Sequence, residues 1–365
     1  PTGGATSSTM TGREAEAMSK QLKLTDREWR TFFIEDLFDR IERGKRLVIK
    51  DRIIGSTPFI TAGETNNGVS SFISNESHKT YSEAVTLDMF ANAFYQGWPF
   101  KCDDNITVLK LRGQSKYVHM FLLPILSKLQ EKYSYAKQVR PHRLSREIIQ
   151  LPASPDGTPD WAFMSAYMRQ EEKVLMKEAI SRLKRQLAEN HAEPVAFKGR
   201  EWRAFKVSEI FPSIQRGKRI KRADHVEGDV PYVSASALNN GVDGFIGNRE
   251  GIRVFANCLS LANSGSVGSA FFHPYAFVAS DHVTKLEREG ADRYIYLFFP
   301  PVFSRMAERY GFNHEISDAR ITRERIMLPV TPDGTPDWAF MSAYMQGLER
   351  EMLREALAYF KEKIR

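Results

Sequence analysis

Pro155-Asp-Gly-Thr-Pro-Asp-Trp-Ala-Phe-Met-Ser-Ala-Tyr-Met168 recurs without a change as Pro332 to Met345. Each copy reads as a turn feeding a helix. Asp156-Gly157 and Asp333-Gly334 are turn dipeptides. Thr158 and Thr335 are expected as N-caps, with Pro159 and Pro336 at the first helical position, where a missing N–H costs nothing. Asp160 and Asp337 follow in the first turn, where the helix dipole favours negative charge.

Apolar residues then recur at helical spacing. Met176, Ile180, Leu183 and Leu187 step by four, three and four, and so do Leu353, Leu357, Phe360 and Ile364. A second row, Met164, Met168 and Leu175, is matched by Met341, Met345 and Met352. Each helix should run about thirty residues, roughly 45 Å at 1.5 Å per residue. Such stripes ask for a partner helix, and the other copy is the obvious candidate, so an antiparallel coiled coil is expected. Trp161 and Trp338 join these rows as expected helix-pair or partner positions.

Working outward, the repeat covers nearly the whole chain. Glu28-Trp29-Arg30 returns as Glu201-Trp202-Arg203, Arg43-Gly-Lys-Arg46 as Arg216-Gly-Lys-Arg219, and Asn66-Asn-Gly-Val69 as Asn239-Asn-Gly-Val242. The offset of 173 becomes 177 from Asp104 and Asp281 onward. This is a tandem duplication. Each globular part mixes strand-like runs (Val85 to Phe90, Ile106 to Leu109, Ala270 to Phe272) with one helix-like stretch, Tyr117 to Tyr133 or Tyr294 to Tyr310. The class is α+β.

The chain has 365 residues, is 42% hydrophobic and carries net charge +7, enough for two cores and suggestive of a polyanionic partner. The charge is uneven: residues 1–200 hold 30 Lys and Arg against 24 Asp and Glu, whereas 201–365 hold 22 against 21, so a binding surface must be a local patch. Cys102 and Cys258 do not sit at matching repeat positions, which argues against a disulfide or metal framework. No stretch has the length and apolarity of a membrane span and no signal-peptide pattern is present, so a reducing cytoplasm is the expected setting.

Catalytic signatures are missing. There is no Gly-x-x-x-x-Gly-Lys-Ser/Thr loop, no His-Glu-x-x-His pair, no Asn-Pro-Pro-Tyr motif and no S-adenosylmethionine loop after a strand. Asn263-Ser-Gly-Ser-Val-Gly268 lacks the lysine of a phosphate cradle and reads as a tight turn. No metal site and no catalytic residue are expected.

Basic loops are the candidates for binding. Arg216, Lys218, Arg219, Lys221 and Arg222 place five cations in seven residues; the first copy has Arg43, Lys45, Arg46 and Lys50. A solvated loop would look similar, but recurrence at one offset favours phosphate contacts. Asn66, Asn67, Asn239 and Asn240 are turn signals first and adenine readers second. A third region precedes each long helix. There, Lys137, Gln138 and Arg140 face His314, Glu315 and Ser317, and Ala136 faces Asn313, whereas Arg143/Arg320 and Arg146/Arg323 agree. Drift in exposed loops gives such a pattern too. The hydrogen-bonding chemistry of the variable set favours one scaffold with two different base-reading faces.

With these features in order, given twice, residues 28–365 resemble the DNA-specificity (S) subunits of type I restriction–modification systems, and in size the shorter S subunits of type IIB systems. The resemblance is carried by Trp29/Trp202, Phe38/Phe211, the Arg-Gly-Lys-Arg and Asn-Asn-Gly turns, Leu151-Pro/Leu328-Pro and the long closing helices. It implies two target-recognition domains that read a bipartite, asymmetric DNA target. It implies no catalysis by this chain, with DNA adenine methyltransferase or fused methyltransferase–nuclease subunits docking on the helices and S-adenosylmethionine bound by that partner. The family's Gly-Thr-Ile-Gly-like turn is only partly kept, as Gly265-Ser-Val-Gly268 and Gln96-Gly97.

The organisation expected is a flexible tail over 1–27, a recognition domain over 28–155 and a long helix over 156–192. A linker over 193–200, a second domain over 201–332 and a second long helix over 333–365 follow. Two other classes stay open: the recognition portion of a fused methyltransferase–endonuclease, cut at Pro1, and a helical interaction scaffold that never touches DNA.

Overall fold

Val85, Leu87 and Leu109 have no exposed surface, and the first globular domain is layered around the strands that carry them. The computed structural model describes residues 21–311 and 314–364, and the chain divides into two units, Pro1–Glu178 and Ala179–Arg365. The expected tail therefore lies mostly outside the described residues. Its last part is fixed: the Leu22 backbone exchanges two hydrogen bonds with the Gln170 amide.

In the first unit the strands are β1 (Trp29–Phe33), β2 (Arg40–Arg43), β3 (Ile54–Ile60), β4 (Val69–Ile73), β5 (Ala84–Asp88), β6 (Ala93–Gln96), β7 (Lys101–Cys102), β8 (Ile106–Lys110) and β9 (Ile148–Pro152). They form an antiparallel sheet in the order β2-β8-β5-β6, a sheet β4-β3-β7, and a ribbon of β1 with β9. Every residue of β5 is buried, because both of its faces are covered. On one side Val85, Leu87 and Leu109 meet Phe121 and Leu122 of the helix Lys116–Ser127, and Met164. On the other, Ala84 and Val108 meet Ile60, Phe100 and Cys102. The period of two along β5 and β8 thus feeds two separate cores.

The second unit repeats this plan with β10 (Trp202–Lys206), β11 (Ser213–Arg216), β12 (Glu227–Val233), β13 (Val242–Ile246), β14 (Val254–Phe255), β15 (Cys258–Ala262), β16 (Ala270–His273), β17 (Phe277–Ala279), β18 (Val283–Glu287) and β19 (Arg325–Pro329). The orders are β11-β18-β15-β16, β13-β12-β17-β14 and β10-β19. The helix-like stretch expected over Tyr294 to Tyr310 is broken in three, Arg293–Phe298, Pro300–Ser304 and a 3-10 turn Arg305–Glu308. The Pro300-Pro301 pair explains the break, since it removes two backbone donors. One buried polar pair differs between the copies. His273 has no exposed surface and bonds the Ser260 hydroxyl at 2.8 Å, and burial pushes its pKa down to about 4. In the first domain the Gln96 amide donates to Thr86 Oγ1 at the same place.

A long helix follows each domain, Trp161–Glu189 and Trp338–Ile364, shorter than the 156–192 and 333–365 expected. The caps are Asp160 and Asp337 rather than Thr158 and Thr335. The Asp160 carboxylate accepts from Phe163 N and that of Asp337 from Phe340 N, each at 2.9 Å. Asp156 instead accepts from the backbone N–H of Thr158 at 3.0 Å, locking the threonine into the preceding turn. The first two turns belong to the domain cores: Met164 and Met341 are fully buried there, with Trp161, Met168, Trp338 and Met345 packed against the same clusters. Met164 and Met341 are therefore core residues of their own domains, a correction to their helix-pair assignment, while Trp161, Met168, Trp338 and Met345 are partly buried against those cores. Further along, Met176, Ile180, Leu183 and Leu187 stay half-buried, as do Leu353, Phe360 and Ile364, with Leu357 buried. The second row ends early, since Leu175 and Met352 are 64% and 69% exposed.

The segment expected as a linker over 193–200 is a strap. Phe197 packs on Trp202 and Tyr344, Arg350 donates to the Ala192 carbonyl at 2.8 Å, and Arg200 pairs with Asp337 at 2.9 Å. Arg27 holds Asp160 in the same manner at 2.7 Å.

Candidate nucleic-acid interface

Gly44 and Gly217 set the path of the two basic loops. A Cβ at Gly44 would lie 2.2 Å from the Asp103 carbonyl oxygen, and one at Gly217 2.1 Å from that of Ser280. No side chain fits there. The arginine before each glycine is also tied inward. Arg43 donates to the backbone carbonyl of Asp104 and, at 2.8 Å, to its carboxylate, and Arg216 donates to the Asp281 carbonyl. Half of the Arg-Gly-Lys-Arg signature is therefore scaffold, and the recurrence of Arg43 and Arg216 does not mark them as free phosphate ligands.

The same correction applies to Arg143 and Arg320. Arg143 donates to the Gln138 carbonyl at 3.1 Å and Arg320 to the Glu315 carbonyl at 2.6 Å. Each guanidinium braces the loop that precedes its long helix. These arginines stay exposed, so their remaining N–H groups still face outward.

What the structure brings together in the first domain is the basic loop and that later loop. Arg43, Gln138, Arg140, His142 and Arg143 line one cleft of about 700 Å³, with the 81% exposed Tyr135 at its mouth. Burial, and then the charge of Arg43, pull the Arg140 pKa below its usual value, with Asp104 opposing. Arg140 and Arg143, beside the Asp104-paired Arg43, make a cationic cleft that gains from a polyanion. His142 lines it too, a residue that the sequence pattern does not single out.

The second domain builds the same loop with different chemistry. Lys137 lies over the Tyr133 ring at 5.6 Å, and at the matching place His314 stacks on Tyr310 at 5.0 Å. Gln138 accepts from Arg140, whereas Glu315 accepts from Arg216, and Ser317 caps the turn Asp318–Arg323 instead of presenting a cation. Asn313 lies outside the described residues. Arg146 and Arg323 are exposed.

Of the remaining loop cations, Lys45 reaches the Ser77 carbonyl at 3.3 Å and Arg46 sits 3.6 Å from Asp104. Lys50, Lys218, Arg219, Lys221 and Arg222 are exposed. Arg219, Lys221 and Arg222 line a second cleft of about 590 Å³ in the second domain. Asn66, Asn67, Asn239 and Asn240 all adopt positive φ, between 49° and 54°, which accounts for both Asn-Asn-Gly turns by backbone conformation alone.

Among the described residues no group of His, Cys, Asp and Glu is placed to hold a metal, and no helix is long and apolar enough to cross a membrane. Gly265 and Gly268 have positive φ, and a Cβ at Gly268 would meet the Phe303 carbonyl at 2.7 Å. That loop is a packed turn, as its sequence suggests.

Residues 26–184 and again 199–357 match the type I restriction modification DNA specificity domain. A curated relative, the type II restriction enzyme BgcI specificity subunit S.BcgI of Heyndrickxia coagulans, is 29% identical over 343 residues, spanning 89% of this chain and 96% of its own. Among solved structures, the S subunit of a type I restriction-modification system from M. genitalium is similar over 94% of each chain, at 16% identity and a TM-score of 0.43. The HsdS subunit from Thermoanaerobacter tengcongensis is similar over 92% of this chain and 91% of its own, at 14% identity and a TM-score of 0.30.

Proposed function

The chain belongs to the type I restriction modification DNA specificity domain family, carrying that domain twice, and from this premise we propose that it is the DNA-reading specificity subunit of a restriction–modification complex. Each domain would read one half of a bipartite, asymmetric target. The observation that carries this reading is the pair of equivalent loops at 137–140 and 314–317. They are braced by equivalent arginines, yet present Lys, Gln and Arg in one domain and His, Glu and Ser in the other. A shared brace with exchanged hydrogen-bonding groups suits two readers of different base edges.

The chain would do no chemistry itself. Methyltransferase-bearing subunits, alone or fused to a nuclease, would bind S-adenosylmethionine and act on adenines in the cytoplasm. The half-buried stripe Met176-Ile180-Leu183-Leu187 with its counterpart Leu353-Leu357-Phe360-Ile364 is the surface proposed for helix pairing and for docking them. Mapping methylated adenines in cells that carry the intact system tests the proposal. One motif with two unlike half-sites around a fixed gap is expected. A single contiguous or symmetric motif, or no salt-dependent duplex binding by the purified chain, would overturn it.

A further inference from the structure

Phe72 and Phe245 occupy the same position of the two domains, on β4 and β13, and are 55% and 59% exposed. Each stands opposite a proline in its hairpin, Pro58 or Pro231. A large aromatic left in water twice, at one repeat position, is not accounted for by either core. The surroundings have changed: Ile54 faces Glu227, Ile49 faces Arg222, and Ser70 faces Asp243. The phenylalanine has not.

Positive charge is the second feature common to both places. In the second domain Phe245 lines the 590 Å³ cleft together with Arg219, Lys221, Arg222 and His225, and with Asp243 on the same strand. In the first, Arg52 reaches across to Ser71 at 3.1 Å, beside Phe72, while its guanidinium lies over the Phe59 ring at 4.8 Å. His225 takes the place of Arg52 and packs edge-on against Tyr232, 4.7 Å between centroids. Arg52 Nε and His225 Nε2 are both buried without a hydrogen-bond partner. Both nitrogens are closed off from the surface, so what the two places offer a partner is the exposed phenylalanine and the neighbouring cations.

We infer that Phe72 and Phe245 are apolar probes that press against unstacked bases, one per half-site, with the adjacent cations holding the flanking phosphates. The inference rests on the DNA-reading function proposed above. A partner that is anionic at its edge and flat and apolar inside is a nucleic acid, and apolar side chains seated between base steps are a known way to unstack them. Asp243 accepts from a base amino group in the second domain, where Ser70 stands in the first.

The test uses the full chain assembled with its methyltransferase partner and a duplex carrying the selected target, with 2-aminopurine replacing each adenine in turn. Binding should brighten the probe at one step per half-site. Phe245→Ala should abolish the brightening in the second half-site only and weaken binding about tenfold with an unchanged salt slope. Phe245→Tyr should keep both, which separates stacking from folding. Unchanged affinity and fluorescence in Phe245→Ala would overturn the inference while leaving the DNA-reading function intact. Loss of partner assembly on gel filtration would overturn it in favour of a protein-docking role. If the wild-type complex does not bind the duplex, both readings fall.

Discussion

Arg216 donates to the Glu315 carboxylate at 3.0 Å, joining two loops 99 residues apart. In the first domain the matching Gln138 carries no charge and pairs with Arg140 instead. The two domains therefore neutralise the equivalent arginine with different carboxylates, Asp104 for Arg43 and Glu315 for Arg216. Glu315→Gln should raise duplex affinity several-fold at low salt and steepen the salt dependence by up to about one unit. Titrations at two or more salt concentrations decide it, and an unchanged slope would mean that Arg216 stays bound to the Asp281 carbonyl.

Lys218 and Arg219 are exposed beyond the glycine. Lys218→Ala or Arg219→Ala should weaken binding to every sequence alike and lower the salt slope by about 0.9 for each phosphate no longer neutralised. His314→Ala should change preference at one or two positions of the target and leave the slope alone. The same titrations, run on matched and mismatched duplexes, separate the two behaviours.

Gly44→Ala places a methyl group 2.2 Å from a carbonyl oxygen. Destabilisation of the first domain by about 3 kcal/mol is expected. Gly63, which has nothing within 4 Å of a built Cβ, provides the control, and Gly63→Ala should stay within about 0.5 kcal/mol of wild type. Urea denaturation of the two variants measures both.

His273 is held neutral by burial, with a folded pKa of about 4 against an ordinary 6.5. Between those values the unfolded chain binds a proton that the folded chain refuses, so stability falls as pH drops through that window. The loss amounts to roughly 3 kcal/mol at most. His273→Gln, which copies the Gln96 arrangement, should remove this part of the acid sensitivity. Melting temperatures of variant and wild type from pH 7 to pH 4 should converge or cross, and parallel curves would refute it.

Replacing residues 28–152 by 201–329 should give a chain with two copies of the second reading face. Its methylation motif should be symmetric, built from the second half-site twice. An unchanged motif would show that specificity resides outside these segments.

The duplication and the long helices are legible in the sequence because an identical fourteen-residue stretch and a helical period survive any amount of loop change. The cap lies two residues from its expected place because Thr158 and Asp160 are both cap-type side chains, and only the geometry shows which one meets a free N–H. The basic loops are half legible. A repeated arginine looks the same whether it holds a phosphate or, like Arg43, its own backbone. Phe72 and Phe245 stay invisible for a related reason: an aromatic in a strand-like run reads as the inward face, and only its exposure reveals the contrary. Polar character singles out the loops 137–143 and 314–320 as candidates, yet not their braces, which depend on contacts between residues five apart.

The ribbon that opens and closes each domain has a consequence for inheritance. Trp29 lies opposite Pro152, and Trp202 opposite Pro329, so the chain enters and leaves each domain through neighbouring strands. A gene segment cut at those two points encodes a closed module whose ends already sit side by side. Such a module is exchangeable between relatives in a single recombination, which under the proposed function replaces one half-site of the target and leaves the other as it was. The long helices, Trp161–Glu189 and Trp338–Ile364, lie outside both segments, so an exchange at those points leaves them untouched.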